Sequence, residues 1–285
     1  MASRKAPTAR QRRLGTELRR LRERTGLSLN AAAAVLGTDR TTVSNSEAGR
    51  SGVSSQRVRA WAAHYECPDT AYVDALAGMA EERTNGWWEE CRGELSSGAL
   101  DLAELEHHAT AIRSVQIMYM PGLLQNEEYA RAVFAEAVPL LSPERLRRLL
   151  SHRLRRRDVL DGSGAPTCTF LIHEAALRMT YGGPGVALGQ LGHLLEESER
   201  DNVTVRVIPF AAGGFPEIGS STQYVRGPVP QLDTVQTDTA TGPTFIDAEA
   251  RLVNYRAVLD RIESRSLDAQ GSRDFIRGIT QSMKA

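Results

Sequence analysis

The sequence predicts two domains: a mainly α N-terminal domain of five helices and a larger α+β (or α/β) C-terminal domain. Three observations carry this. A chain of 285 residues is too long for one small domain. Its charge is divided: residues 1–60 hold thirteen Lys and Arg against four Asp and Glu, and the remainder holds 22 against 31, so a formal net charge of zero hides a basic front and an acidic bulk. Strand-like segments also begin only after about residue 110 and then alternate with helical ones.

Composition removes several classes. Hydrophobic content of 41% and charged content of 25% are ordinary for a globular protein. No stretch reaches the ~20 apolar residues of a membrane span. The basic start MASRKAPTARQRR has no apolar core, so a secretory signal is not expected and a cytoplasmic location is. Cys67, Cys91 and Cys168 are odd in number and far apart, which fits neither a disulfide framework nor a metal or redox motif. His107 and His108 are adjacent, so on a helix they diverge by about 100° and cannot face one metal together. No metal and no cofactor is expected.

Residues 1–10 are expected to form a disordered basic tail. From Arg10 to Arg24, Leu14, Leu18 and Leu21 mark one helical face and arginines fill the others, with Gly26 ending the helix. Ser28 caps a second helix, Leu29 to Leu36, closed by Gly37. Asp39 caps a third, Arg40 to about Ala48, stopped at Gly49. Ser54 or Ser55 caps a fourth, with Val58, Trp61, Ala62 and Tyr65 inward, and Asp69 caps a fifth carrying Tyr72, Val73, Leu76 and Met79.

The short pair around Gly37 resembles the XRE-type (phage-repressor-like) helix-turn-helix domain over residues 11–80. The resemblance rests on Gly26, Ser28, Ala33, Gly37, Val43, Glu47 and Gly49. It implies a third helix whose N-terminal half enters the DNA major groove. Arg40, Thr41, Ser44 and Asn45 would then face bases or nearby backbone, Thr42 and the backbone around Thr38 would meet phosphate, and Val43 would face the core. Arg40 suits guanine O6 and N7, and Asn45 suits adenine N6 and N7. Arg19 is expected to contact phosphate without regard to sequence. The resemblance also implies a buried ion pair between Arg22 and Glu47. Leu29 replaces a glutamine that usually bonds phosphate, and Ser46 replaces a large apolar residue, which predicts a less firmly seated third helix.

Residues 81–100 are expected to be a linker. Beyond it, helices are predicted over Leu100–Ala111, Leu123–Val138, Glu144–Leu160, Gly185–Glu199, Asp247–Ile262 and Ser272–Met283. Strands are predicted over Ser114–Met120, Cys168–Ile172 and Val203–Phe210, with short ones at Tyr224–Arg226 and Thr234–Thr237. In the arginine-laden segment Glu144–Leu160 the predicted buried stripe is Leu146, Leu149, Leu150 and Leu154. Arg147, Arg148, Arg155, Arg156 and Arg157 read as a solvated face paired with the acidic remainder, with contact to DNA phosphate as the alternative.

Four blocks here, Met120–Val133, Ile172–Gly183, Gln190–Leu195 and Asn202–Phe210, are similar to the C-terminal domain of unknown function in a group of actinobacterial regulators described as antitoxin-like. That resemblance implies a transcriptional regulator whose domain at 101–285 senses a small protein partner encoded nearby, or a ligand.

No nucleophile elbow, zinc-protease helix, Walker loop or dinucleotide fingerprint is present, so no catalytic residues are expected. Glu174 is the best lone acidic candidate, and Pro209–Ser221 reads as a possible lid over a small-molecule effector. The predicted function is a sequence-specific, homodimeric regulator of double-stranded DNA. The alternatives are an antitoxin-like protein that neutralises a partner, and a small-molecule sensor.

Overall fold

A computed structural model describes residues 6–82, 86–216, 219–239 and 242–284. Residues 1–5 of the expected tail, 83–85 of the expected linker and 217–218 of the expected lid lie outside the described residues. The chain divides into two compact units between Glu89 and Glu90.

The first unit holds α1 (Ala9–Arg24), α2 (Leu29–Val35), α3 (Arg40–Glu47), α4 (Ser55–His64) and α5 (Thr70–Glu81). Thr8, Ser28, Asp39, Ser54 and Asp69 cap them in turn, each side chain accepting from a first-turn N–H. The tail expected through residue 10 is shorter than that. Thr8 Oγ1 accepts from Gln11 N at 3.2 Å and Gln11 Oε1 accepts from Thr8 N at 3.0 Å, a reciprocal cap that starts α1 at Ala9. Leu18, Leu21, Val43, Val58, Trp61 and Leu76 fill the core.

The second unit holds α6 (Ser97–His107), β1 (Ala111–Gln116), α7 (Glu127–Ala135), α8 (Pro143–Arg156), β2 (Thr167–His173), α9 (Glu174–Arg178), α10 (Pro184–Glu197), β3 (Val203–Ile208), β4 (Thr222–Arg226), β5 (Thr234–Thr239), β6 (Gly242–Ile246), α11 (Glu249–Glu263) and α12 (Ala269–Lys284). The six strands form one mixed sheet in the order β3-β2-β1-β4-β5-β6. β3, β2 and β1 run parallel, and β4 to β6 continue antiparallel, so the unit is α+β. One face packs through Ile112, Phe170, Ile172 and Val205 on Leu191, Leu194 and Ile276 of α10 and α12. The other packs through Val115, Leu171, Tyr224 and Val235 on Leu252 and Leu259 of α11. Cover on both faces explains the apolar run Phe170–Ile172 in β2, whereas the edge strand β3 alternates buried Val203, Val205 and Val207 with half-buried Thr204 and Arg206.

Several expectations in this unit are corrected. The expected linker ends early: Ser96 caps α6, and Glu90 and Glu94 pair with Arg155 and Arg148 of α8, which binds this stretch into the second unit. The helix expected from Leu100 therefore begins at Ser97, and the strand expected from Ser114 begins at Ala111. The helix expected from Leu123 starts instead at Glu127, because Gly122–Leu124 forms a 3-10 turn and Asn126 supplies the cap.

In the arginine-rich helix Arg147 and Arg155 stand exposed and Arg148 half-exposed, Arg148 and Arg155 paired with Glu94, Glu144 and Glu90 as a solvated face would be, but Arg156 and Arg157 depart from that expectation. Leu150 is buried, but Leu146, Leu149 and Leu154 are only half-buried, and His152 is buried at 5% exposure. Arg156 turns inward, donating from Nε and Nη2 to the two oxygens of Glu106, both at 2.7 Å. Arg157 pairs with Glu197. Glu106 is 1% exposed and accepts also from Gln223 Nε2 at 3.0 Å. Burial alone would weaken the Arg156 charge, and Glu106 holds it above its ordinary range.

Glu106→Ala strands that guanidinium. The expected loss is about 3–5 kcal/mol of unfolding free energy, read by urea denaturation of the full chain.

Candidate nucleic-acid interface

The interface is built on the α2–α3 pair. Ser28 Oγ accepts from Ala31 N at 3.2 Å and opens α2. Gly37, at φ +62°, turns the chain, and Thr38 N donates to Ala33 O at 3.0 Å. Asp39 then opens α3, accepting from Thr42 N at 2.8 Å and from the Thr42 hydroxyl at 2.6 Å. These bonds, the hydroxyl's first, hold the Asp39 carboxyl below its usual range.

One face of α3 is fixed inward. Val43 is fully buried and Ser46 is 2% exposed. The seat is formed by α1 approaching closely rather than by a large side chain at position 46. A Cβ on Gly15 would lie 2.5 Å from Glu47 O and 2.7 Å from Ser46 O, so only glycine admits this approach. Gly49, at φ +67°, lets the chain leave α3 against Gln11 and Arg12. The loose seating expected from Ser46 is thus offset by a glycine in the middle of α1.

Arg22 and Glu47 lock the same contact. Arg22 Nε donates to Glu47 Oε1 at 2.6 Å and Nη2 to Oε2 at 2.9 Å, while Nη1 donates to Leu27 O at 2.7 Å. The Glu47 bond holds the Arg22 guanidinium above its ordinary pKa. A second buried carboxylate, Glu17, accepts from Tyr72 OH at 2.5 Å and from Arg20 Nη1 at 2.5 Å, and pairs with Arg13, joining α1 to α5. Arg13 and Arg20 stand at helical spacing from Glu17, but nothing in the spacing of the sequence signals the link to Tyr72.

The outward face holds the expected readers. Arg40 and Thr41 are exposed, and Ser44 and Asn45 are half-buried. Arg40 has no acceptor among the described residues, and neither do the exposed Arg24 and Arg50. Arg50 is the addition the structure makes: it follows Gly49 directly, where a cation flanks the end of α3. Two expected phosphate contacts are altered. The Thr42 hydroxyl proton is given to Asp39, and the Thr38 N–H to Ala33, so neither is spare for phosphate. Arg19 is exposed and donates to Glu23 at 2.6 Å, a surface pair weak enough for a phosphate to displace.

Such a surface places a free guanidinium and a carboxamide along one helix, the groups that bond guanine and adenine edges. A family model described as a helix-turn-helix domain matches residues 13–76. Another, described as a domain of unknown function (DUF5753), matches residues 99–278, more than half of the chain. The chain belongs to the DUF5753 family. No curated protein and no solved structure matches it. This DUF5753 protein thus carries a helix-turn-helix domain ahead of its family domain. No helix among its described residues is long and apolar enough to cross a membrane.

In the family domain, Glu174 is tied into the fold. It accepts from Phe210 N at 2.8 Å and Arg178 Nε at 2.7 Å. Burial pushes its carboxyl up, but these donors hold it below the usual range. The described part of Pro209–Ser221 is accordingly anchored at Phe210, whose ring meets His173 edge-on at 5.1 Å.

Two substitutions test the seat of α3. Glu47→Ala should cost about 3–5 kcal/mol by leaving Arg22 buried and unpaired. Gly15→Ala should cost about 1–3 kcal/mol by overpacking. Both are read as shifts of the denaturation midpoint, and an unchanged midpoint in either shows that contact to be unimportant.

Proposed function

We propose that this DUF5753 protein is a sequence-specific transcriptional regulator of the XRE type, binding double-stranded DNA as a homodimer. The observation that carries the reading is α3 itself. Val43 and the Gly15 contact fix its inner face, while Arg40, Thr41, Ser44 and Asn45 stand on the outer face with the Arg40 guanidinium unpaired. A reader held rigid by its core and left open at its base-facing groups is what direct readout needs. Paired copies of α3 would address half-sites about one helical turn, ~34 Å, apart. The work of such a regulator is in the cytoplasm.

The four sequence blocks support placing the chain with the actinobacterial, antitoxin-like regulators. In this reading the second unit senses a small partner protein or a ligand and catalyses nothing. A second reading, an interaction protein that neutralises a partner, is favoured by Val138 and Leu140 in the α7–α8 connection, which are 96% and 83% exposed. Co-purification of the neighbouring gene product in the absence of any operator preference would favour it.

Genome-wide capture of DNA by the purified chain supplies the operator. On that operator Arg40→Ala is expected to cost about 1–3 kcal/mol and to relax preference at one base pair. Arg19→Ala should weaken all sequences alike and flatten the salt dependence. Retention of full base preference by Arg40→Ala would overturn the assignment of α3 as reader.

A further inference from the structure

The face of the sheet under α10 and α12 changes character at β1. Across one row, strand register sets Val205, Phe170, Ser114, Gln223, Gln236 and Phe245 side by side. The first two belong to the apolar core, but Ser114, Gln223 and Gln236 are polar and between 1% and 8% exposed. A buried carboxamide costs free energy unless its hydrogen-bonding groups are met. Gln223 gives one N–H to Glu106, and Gln236 gives one to Asp238 at 2.8 Å. Neither side-chain carbonyl oxygen has a protein donor among the described residues.

Two arginines of α8 lie over this polar half. Arg156 is neutralised by Glu106 at two points. Arg153 is not: it donates to Gln125 Oε1 at 2.8 Å and stacks on Phe134 at 4.1 Å, and no carboxylate among the described residues lies within ion-pair distance. Gln125, itself 2% exposed, is held in place by its bond to Met120 O at 2.7 Å. Arg153 is half-buried and stands one turn before Arg156 on α8. Burial, then Arg156, lowers its pKa to about 10, so it stays charged near neutrality, and Asp238 and Glu106 lie near enough to act on that charge. Arg156, one turn along α8 from Arg153, reaches Gln223 through Glu106, and Gln236 is the cross-strand neighbour of Gln223, so the three groups belong to the same polar part of the unit.

We propose that this polar patch binds a small amino or hydroxy acid, its carboxylate on Arg153 and its N–H or O–H groups on the open carbonyl oxygens of Gln223 and Gln236. A guanidinium with one arm spent on Gln125 still offers a carboxylate two donors in one plane. The carboxamide oxygens only accept, so the ligand must donate to them. This deepens the reading of the second unit as a sensor and rests on it only for the biological meaning of the binding.

The test uses the full chain, with calorimetric and thermal-shift titrations at matched ionic strength. The probes are L-glutamate, L-malate, succinate, inorganic phosphate and sodium chloride. Expected is saturable binding of glutamate or malate, at least about tenfold tighter than succinate, which carries no additional donor. Arg153→Gln should weaken it tenfold or more, while Arg147→Gln on the same helix leaves it unchanged. If Arg153→Gln does not fold, Gln236→Ala must show the loss. No saturable binding of glutamate or malate at 10 mM, binding of phosphate alone, or affinity retained in the folded variants would overturn the proposal. Operator binding measured in parallel separates the two readings: DNA binding lost with acid binding kept sinks only the regulator, and the reverse sinks only this site.

Discussion

An ionised group withdrawn from water must find its counter-charge inside the protein, and this constraint sets how the helices of each unit meet. Arg22 reaches across from α1 to Glu47 at the end of α3. Glu17, also on α1, gathers Arg13, Arg20 and Tyr72, which brings α5 into place. In the second unit Glu106 of α6 takes Arg156 of α8. Arg22–Glu47, Tyr72–Glu17 and Arg156–Glu106 join segments 25 to 55 residues apart, and each is short and largely enclosed. Apolar burial supplies the drive to compact, while these pairs restrict which compact arrangement satisfies every charge.

The same constraint gives Arg153 its significance. Its neighbour three residues along has a carboxylate at two points, yet Arg153 has only a carboxamide and an aromatic face. In the first unit, Arg40 is unpaired for a different reason, since it stands in water at the start of α3. An exposed lone cation is inexpensive and available, whereas an enclosed one is costly and specific. One suits a polyanion met at a surface, the other a small solute with a carboxylate of its own.

Much of the first unit was legible in the sequence. Ser28, Asp39 and Asp69 announce helix starts because few residues can cap, and Gly26, Gly37 and Gly49 announce stops because each adopts positive φ. Gly15 was not legible, since a glycine inside an amphipathic helix has no local signature. Its reason is the backbone of α3, more than thirty residues on. The outward placement of Arg40 and Thr41 followed from family resemblance, and the diversion of the Thr42 hydroxyl to Asp39 did not.

The second unit was legible where elements are long and uniform, as in β3 and α10, and poorly so elsewhere. β6 was missed: it is five residues long, begins with Gly242–Pro243, and exists because β5 offers it an edge. α9 was missed because five residues hold too little periodicity. In α8 the leucine stripe pointed to one face, but the helix turns His152 and Arg156 inward. No window of sequence reveals that the partner of Arg156 lies on α6, fifty residues earlier.

β1 lies in the interior of the sheet, between β2 and β4, although it is the first strand made. During synthesis β2 and β3 arrive first and extend the sheet to one side. The opposite margin of β1 keeps its backbone groups without a strand neighbour until Thr222 has left the ribosome. A nascent chain therefore carries an open, template-like border while more than a hundred residues are added. That border is closed only when β4 pairs along it, so the interior of this sheet is completed from a distant part of the chain.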